Sequence, residues 1–192
     1  MKKIFILSLS LIVSAALMVS CSKEKSSEQG ISHDSAPKGT LQWHSFAKGY
    51  DMAKKAGKPM VIDFYADWCH WCKVMEEQTF SDSEVIKKMK DEYIAIRIHT
   101  DRPKKEGISF MGRKYTEQEF AAAMGVTGLP TLVFLDKDGK PITKIPGFVK
   151  KDVFLPLLSY FSEGCYLQNV SFDDYVEGKT PCSKGHQQKS QT

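Results

Sequence analysis

The stretch Val61-Ile62-Asp63-Phe64-Tyr65-Ala66-Asp67-Trp68-Cys69-His70-Trp71-Cys72-Lys73 decides how the chain is read. Apart from Asp63, Met60 to Ala66 is apolar, β-branched and aromatic, which predicts a fully buried strand rather than a half-solvated one. Cys69-His70-Trp71-Cys72 follows directly, where the next helix must begin, and Cys72 to Phe80 continues as that helix. Two cysteines three apart at a helix start can close a small disulfide ring. The first faces unpaired backbone N–H groups and the positive end of the helix dipole. A thiolate at Cys69 is stabilised there, so its pKa is expected below the free value of about 8.5. Cys72, one turn further in and shielded, can attack a mixed disulfide formed on Cys69.

Working outward, Trp43, Phe46, Tyr50 and Ala53 recur at three- and four-residue spacing and stop at Gly57-Lys58-Pro59, which predicts an amphipathic helix ending there. Ser81-Asp82-Ser83-Glu84 reads as a capping box opening a helix with Val85, Ile86 and Met89 on one face. Tyr93 to Ile98 is a second short strand, and Asp101 to Tyr115, rich in Lys, Arg, Gly and Pro, reads as a long loop. Glu117 to Met124 is helical. Pro130 to Leu135 is a third strand, turned by Asp136-Lys137-Asp138-Gly139 into Ile142 to Ile145 as a hairpin, and a final helix spans about Lys151 to Phe161. This order implies an α/β sandwich with parallel and antiparallel strands.

The chain has 192 residues, room for one ordinary domain plus extensions, and its 42% apolar and 26% charged content is that of a packed globular protein. The net charge of +4 falls to +2 without Lys2 and Lys3, and no basic stripe interleaved with aromatics appears, which argues against nucleic-acid binding. Lys2 and Lys3 precede an apolar run from Ile4 to Val19, too short for a spanning helix of about 20 residues and shaped as a secretory leader. Leu17-Met18-Val19-Ser20-Cys21 resembles the bacterial lipoprotein box, with Met18 where Leu is usual; the alternative is an ordinary cleaved signal peptide. The resemblance implies removal of residues 1–20, lipidation of Cys21 and a membrane anchor made of acyl chains. The polar residues 21–40 then read as a flexible tether to a domain over 41–162.

The segment Val61 to Lys73 resembles thioredoxin-like proteins, and Gly128-Leu129-Pro130-Thr131 is similar to their cis-proline turn. Met75-Glu76-Glu77-Gln78-Thr79-Phe80-Ser81-Asp82 is similar to the C-terminal periplasmic domain of DsbD-type thiol reductases and their lipoprotein relatives. The resemblance implies a thioredoxin-like fold with a central mixed sheet flanked by helices. It assigns Cys69 as nucleophile and Cys72 as resolving thiol, the two forming a redox-active disulfide. Asp63 matches the buried acid that takes the proton of the resolving cysteine; the plain alternative is a satisfied buried polar group. Pro130 matches the cis-proline, whose turn offers the backbone of Leu129 to a substrate peptide. Trp68, His70 and Trp71 surround the cysteines and are expected to modulate them. His70-Trp71 replaces the usual Gly-Pro pair, the helix after Cys72 lacks the kinking proline, and the Asp101 to Tyr115 loop is longer. Arg97 falls about where thioredoxins carry a lysine near the buried acid, and is expected as an ion-pairing or surface residue.

With Cys21 and the motif pair assigned, Cys165 and Cys182 remain. In an oxidising compartment they would bridge, stapling a C-terminal extension (163–192) to the domain; the alternative is a second relay pair. His33, His44, His99 and His186 are scattered, and Cys69, His70 and Cys72 fall short of the four ligands of a closed site, so no metal and no cofactor is expected. The resulting reading is a lipid-anchored thiol:disulfide oxidoreductase on the periplasmic side of the cell envelope, more a reductant or relay than an oxidant. Its partners would be disulfide-containing envelope proteins and a membrane electron donor of the DsbD or CcdA type. The rival readings are a disulfide oxidase or isomerase, and a non-catalytic module that holds a client or a metal.

Overall fold

Helix α1 (Phe46–Ala56) leads into strand β1 (Met60–Tyr65); α2 (His70–Met75) runs on as a π-helical segment (Glu76–Phe80) and is followed by α3 (Ser83–Glu92) and β2 (Ile94–His99). A short hairpin of β3 (Ile108–Phe110) and β4 (Arg113–Tyr115) precedes α4 (Glu117–Ala123), β5 (Thr131–Leu135) and β6 (Pro141–Pro146). Helix α5 (Lys151–Ser162), a 3₁₀ turn (Cys165–Gln168) and α6 (Phe172–Val176) complete the order. This computed structural model describes residues 40–104 and 107–182, all within the unit Ser35–Thr192. The leader, Cys21, the tether to residue 39 and the end from 183 lie outside the described residues.

The four-stranded sheet has the order β2-β1-β5-β6, with β1 parallel to β2 and antiparallel to β5, and β5 antiparallel to β6. Alternation along each strand sorts side chains to the two faces, each of which has its own core. Met60, Ile62 and Phe64 of β1, Ile96 and Ile98 of β2, and Val133 and Leu135 of β5 pack with Phe46, Ala53, Phe110 and Phe120. Val61, Ala95, Leu132 and Phe134 point the other way, to Met75, Phe80, Val85, Met89, Phe154 and Leu158. Helices α1 and α4 therefore cover one face, and α2, α3 and α5 the other. Asp63 and Arg97 belong to the second face, directly opposite each other in the β1–β2 register.

Several boundaries differ from the sequence reading for identifiable reasons. The N-cap of α3 is Asp82, which accepts from the N–H groups of Glu84 and Val85 at 2.9 and 3.2 Å, while the Ser81 hydroxyl donates back to the Glu77 carbonyl at 2.5 Å. Ser81 is thus engaged by the π segment and is not free to cap. Strand β2 begins at Ile94 because Tyr93 caps α3, its hydroxyl donating to the Leu158 carbonyl at 2.5 Å. The stretch read as a loop holds the β3–β4 hairpin, whose Ile108 and Phe110 are buried. Helix α4 opens on a capping box in which Thr116 and Glu119 satisfy each other's backbone N–H groups. Lys151–Ser162 is not the last helix, since α6 follows.

Candidate active site

Strand β1 ends at Tyr65, and the chain turns through Ala66 to Trp68 so that Cys69 becomes the N-cap of α2. Its Sγ accepts from the Cys72 N–H at 3.1 Å, one of the donors a helix start leaves unpaired. Cys69 and Cys72 are joined in a disulfide, their Cα atoms 5.3 Å apart. Both are nearly covered, at 3% and 5% exposure, and with Ala66 they pack against Tyr65 and Leu129. The rim is the reverse: Trp68 and Trp71 are 71% and 54% exposed, unusual for such large apolar side chains. Trp71 stacks on Phe148 with ring centroids 5.8 Å apart, and the Trp68 indole donates to Asp101. Asp67 pairs with Arg102, fastening the segment before the cysteines to the loop after β2. His70 is exposed, its ring 5.5 Å from that of Trp71.

The second wall comes from the turn before β5. The Leu129–Pro130 peptide bond is cis. The Thr131 hydroxyl donates to the Gly128 carbonyl at 2.7 Å, and the Pro130 carbonyl accepts from the Gly147 N–H at 2.8 Å, so the turn is held at both ends. Leu129 lies outside the β5 ladder, which starts at Thr131. The fold thereby brings Cys69, Cys72 and Leu129 together, with Trp68 and Trp71 on the rim.

Asp63 lies on the sheet face below, 1% exposed. Its Oδ2 accepts from Arg97 Nε at 2.9 Å, while Oδ1 is buried with no hydrogen-bond partner among the described residues. Arg97 also donates through Nη2 to Glu76 Oε2 at 2.6 Å. The guanidinium lies over the rings of Trp43 and Tyr65, at 4.6 and 4.5 Å from their centroids. Burial pushes the Asp63 carboxyl up to about 6; the Arg97 charge opposes this and the Glu76 charge adds to it. The sequence reading singled out Asp63 and expected Arg97 as an ion-pairing or surface residue, but did not name Glu76. The available signal was the strand register, which sets Arg97 beside Asp63, and the helical position of Glu76, one turn beyond Cys72.

Cys165 and Cys182 also form a disulfide, with Cα atoms 5.4 Å apart, and Cys165 belongs to the core beneath α5. Among the described residues, the cluster that could hold a metal is Glu163, Cys165 and Cys182, whose two sulfurs are bonded to each other.

A sheet with helices on both faces, a Cys-x-x-Cys disulfide opening the helix after the central strand, and a cis-proline turn beside it define a protein of the thioredoxin fold. A family model described as a thioredoxin-like domain matches residues 46–162, and the chain belongs to that family. It is similar to the thiol:disulfide interchange protein DsbD of Vibrio vulnificus, 35% identical over 106 residues that cover 54% of this chain and 16% of that one. It is also similar to the disulfide bond reductase DsbH of Chlamydia pneumoniae, 33% identical over 109 residues covering 55% and 62% of the two chains. The chain thus spans about a sixth of the first relative and about three fifths of the second. Among solved structures, a DsbH oxidoreductase superposes with a TM-score of 0.50 at 25% identity, covering 68% of this chain and 94% of that one. A thioredoxin-fold protein from Helicobacter pylori gives a TM-score of 0.55 at 22% identity over 68% and 91%.

Proposed function

We propose that the chain is a cell-envelope thiol:disulfide oxidoreductase that reduces, or relays electrons to, the disulfides of other envelope proteins. The observation that carries the reading is the Cys69–Cys72 disulfide at the N-cap of α2, between exposed aromatics and the Leu129–Pro130 turn. In the working direction the Cys69 thiolate attacks a substrate disulfide, forming a mixed disulfide and releasing one substrate thiolate. Cys72 then gives up its proton to Asp63 and attacks the Cys69 sulfur. That step releases the second substrate thiol and leaves the Cys69–Cys72 disulfide, so two electrons have passed to the substrate. The helix start stabilises the attacking thiolate, and a carboxyl raised to about 6 suits a base working near neutral pH. Leu129 would align the substrate backbone, and Trp68, His70 and Trp71 would form the surface it meets.

The reducing direction draws its support from relatives named as an interchange protein and a disulfide bond reductase. Return of the pair to its dithiol state requires a donor of two electrons, and a membrane protein of the DsbD or CcdA type fits a domain tethered through lipidated Cys21. Among the described residues no helix is long and apolar enough to cross a membrane. The test is the redox equilibrium of the Cys69–Cys72 pair against glutathione and dithiothreitol buffers, followed by alkylation mass shift. A midpoint near that of thioredoxin, about −270 mV, is expected; one near −120 mV would make the protein an oxidant. A pair that never titrates would leave a non-catalytic binding module.

A further inference from the structure

We propose that Glu163, Cys165 and Cys182 form a second, redox-gated site, which binds a divalent cation of the zinc class when its two cysteines are thiols and is closed when they are joined as a disulfide. The inference goes beyond the oxidoreductase reading and does not depend on it.

The end of α5 builds the site. Glu163 caps the helix, and Gly164, with φ of 74°, reverses the chain so that the 3₁₀ turn starts at Cys165. Cys182 returns to the same point after α6. The two sulfurs and a Glu163 carboxylate oxygen lie within 4.8 Å of one another, the one such cluster among the described residues. Two thiolates and a carboxylate are zinc ligands, and three protein ligands leave a fourth position open. Zinc bonds to sulfur of about 2.3 Å in tetrahedral geometry hold two sulfurs about 3.8 Å apart. With the Cα atoms 5.4 Å apart, side-chain rotation reaches that spacing. Cys165 is fully buried and Cys182 only partly, so the Cys182 side is where an ion enters.

The surroundings favour a cation. A helix C-terminus is the negative end of the dipole and is ordinarily matched by Lys, Arg or His. The last turn of α5 carries no basic residue, and its cap is an acid. The Cys182 sulfur lies 4.0 Å from the Glu163 carbonyl oxygen, so carboxylate, carbonyl and two sulfurs converge on one helix end. The Tyr175 hydroxyl donates to Glu163 Oε2 at 3.2 Å, and Gln168 Nε2 donates to the Cys182 sulfur at 3.3 Å. Hydrogen bonds of this kind orient ligands around metal ions. The site has no local sequence signature because 17 residues separate its cysteines.

Every chain is made with both cysteines as thiols, and a dithiol can restore that state. One thiolate of the dithiol attacks the Cys182 sulfur, the Cys165–Cys182 bond breaks, and Cys165 leaves as a thiol. The second thiol of the reductant then attacks the mixed disulfide and releases Cys182. Two electrons have passed to the pair, and the reductant is left as a disulfide. A zinc ion binding the pair displaces the two thiol protons to solvent. It then holds the extension to α5 in place of the S–S bond.

The experiment uses the full chain carrying Cys69→Ser/Cys72→Ser, so that the redox pair cannot bind metal itself. The protein is reduced with a phosphine and titrated with Co²⁺ as a spectroscopic probe, then with Zn²⁺ as competitor. One Co²⁺ per chain is expected, with a thiolate-to-cobalt absorption that Zn²⁺ displaces, and the oxidised protein should show no such absorption. Glu163→Gln leaves the disulfide intact, so the variant can be purified folded, and it should weaken Co²⁺ binding by at least about tenfold. Zn²⁺ should also raise the melting temperature of the reduced chain and leave that of the oxidised chain unchanged. The proposal is overturned by a reduced chain without thiolate-to-cobalt absorption, or by an absorption that survives Cys165→Ala/Cys182→Ala. Equal Co²⁺ affinity in Glu163→Gln, or a reduced chain that Zn²⁺ does not stabilise, would likewise leave Cys165 and Cys182 as a structural disulfide alone.

Discussion

At the scale of single residues, the strongest tension in the molecule is a carboxyl group set inside a sheet core. Asp63 ionises at about 6 in the folded protein against an ordinary 3.8, because burial outweighs the help of Arg97. The folded state therefore holds this proton more tightly than the unfolded chain does. The stability that goes with it is complete below about pH 4 and is lost as the pH rises through about 6. A shift of this size corresponds to about 3 kcal/mol. We expect the oxidised protein to lose roughly that much stability relative to Asp63→Asn between pH 4 and pH 7.5, measured by denaturant unfolding of both at each pH. Parallel stability curves would show that Asp63 is ionised throughout.

At the scale of elements, the contact between α1 and the sheet depends on the absence of one side chain. Gly49 is buried where the helix crosses β2, and a Cβ there would come within 2.4 Å of Ile96 Cγ1 and 2.9 Å of Ile96 Cδ1. Ile96 is fully buried, so its side chain cannot swing out into solvent. Gly49→Ala should therefore lower stability by about 1–3 kcal/mol, although alanine favours a helix interior by about 1 kcal/mol. A melting temperature equal to or above the parent's would mean that α1 slides along the sheet instead. Elements of this kind were legible in the sequence to the extent that their signals were local. Met60 to Tyr65 announced itself as a buried strand by β-branched and aromatic content, and Gly57, with φ of 63°, ended α1 where the periodicity stopped. Thr116-Glu117-Gln118-Glu119 carried the capping box openly, whereas Ser81 imitated one while bonded to Glu77. The β3–β4 hairpin was hidden because three-residue strands, one of them Arg113-Lys114-Tyr115, joined by Met111-Gly112 are too short to show a period. The cysteine pair was legible because its chemistry lies within four residues. The Asp63–Arg97–Glu76 cluster was only half legible, because its contacts join positions 34 and 21 residues apart and depend on strand register.

At the scale of the whole molecule, two disulfides stand in different surroundings, and their surroundings predict different behaviour. Cys69–Cys72 sits in a small cluster with Ala66, Tyr65 and Leu129, next to exposed tryptophans. Cys165–Cys182 closes a loop of 17 residues over the end of the large core, where the Tyr160 hydroxyl donates to the Val170 carbonyl at 2.7 Å and the Tyr160 ring meets Phe172 and Tyr175. Closing a loop of this length removes chain entropy from the unfolded state worth about 3 kcal/mol. The double substitution Cys165→Ala/Cys182→Ala should accordingly lower unfolding stability by about that amount. It should leave the redox midpoint of Cys69–Cys72 where it was, because the two sulfur pairs share no packing neighbours among their clusters. Both quantities can be read on one preparation, by denaturant unfolding and by alkylation mass shift. A loss of stability with a constant midpoint would establish the second disulfide as a clamp that holds the extension onto α5. A midpoint that moves with the clamp would mean instead that the extension reaches the redox site through the core they both adjoin, and that stability and redox poise in this protein are set together.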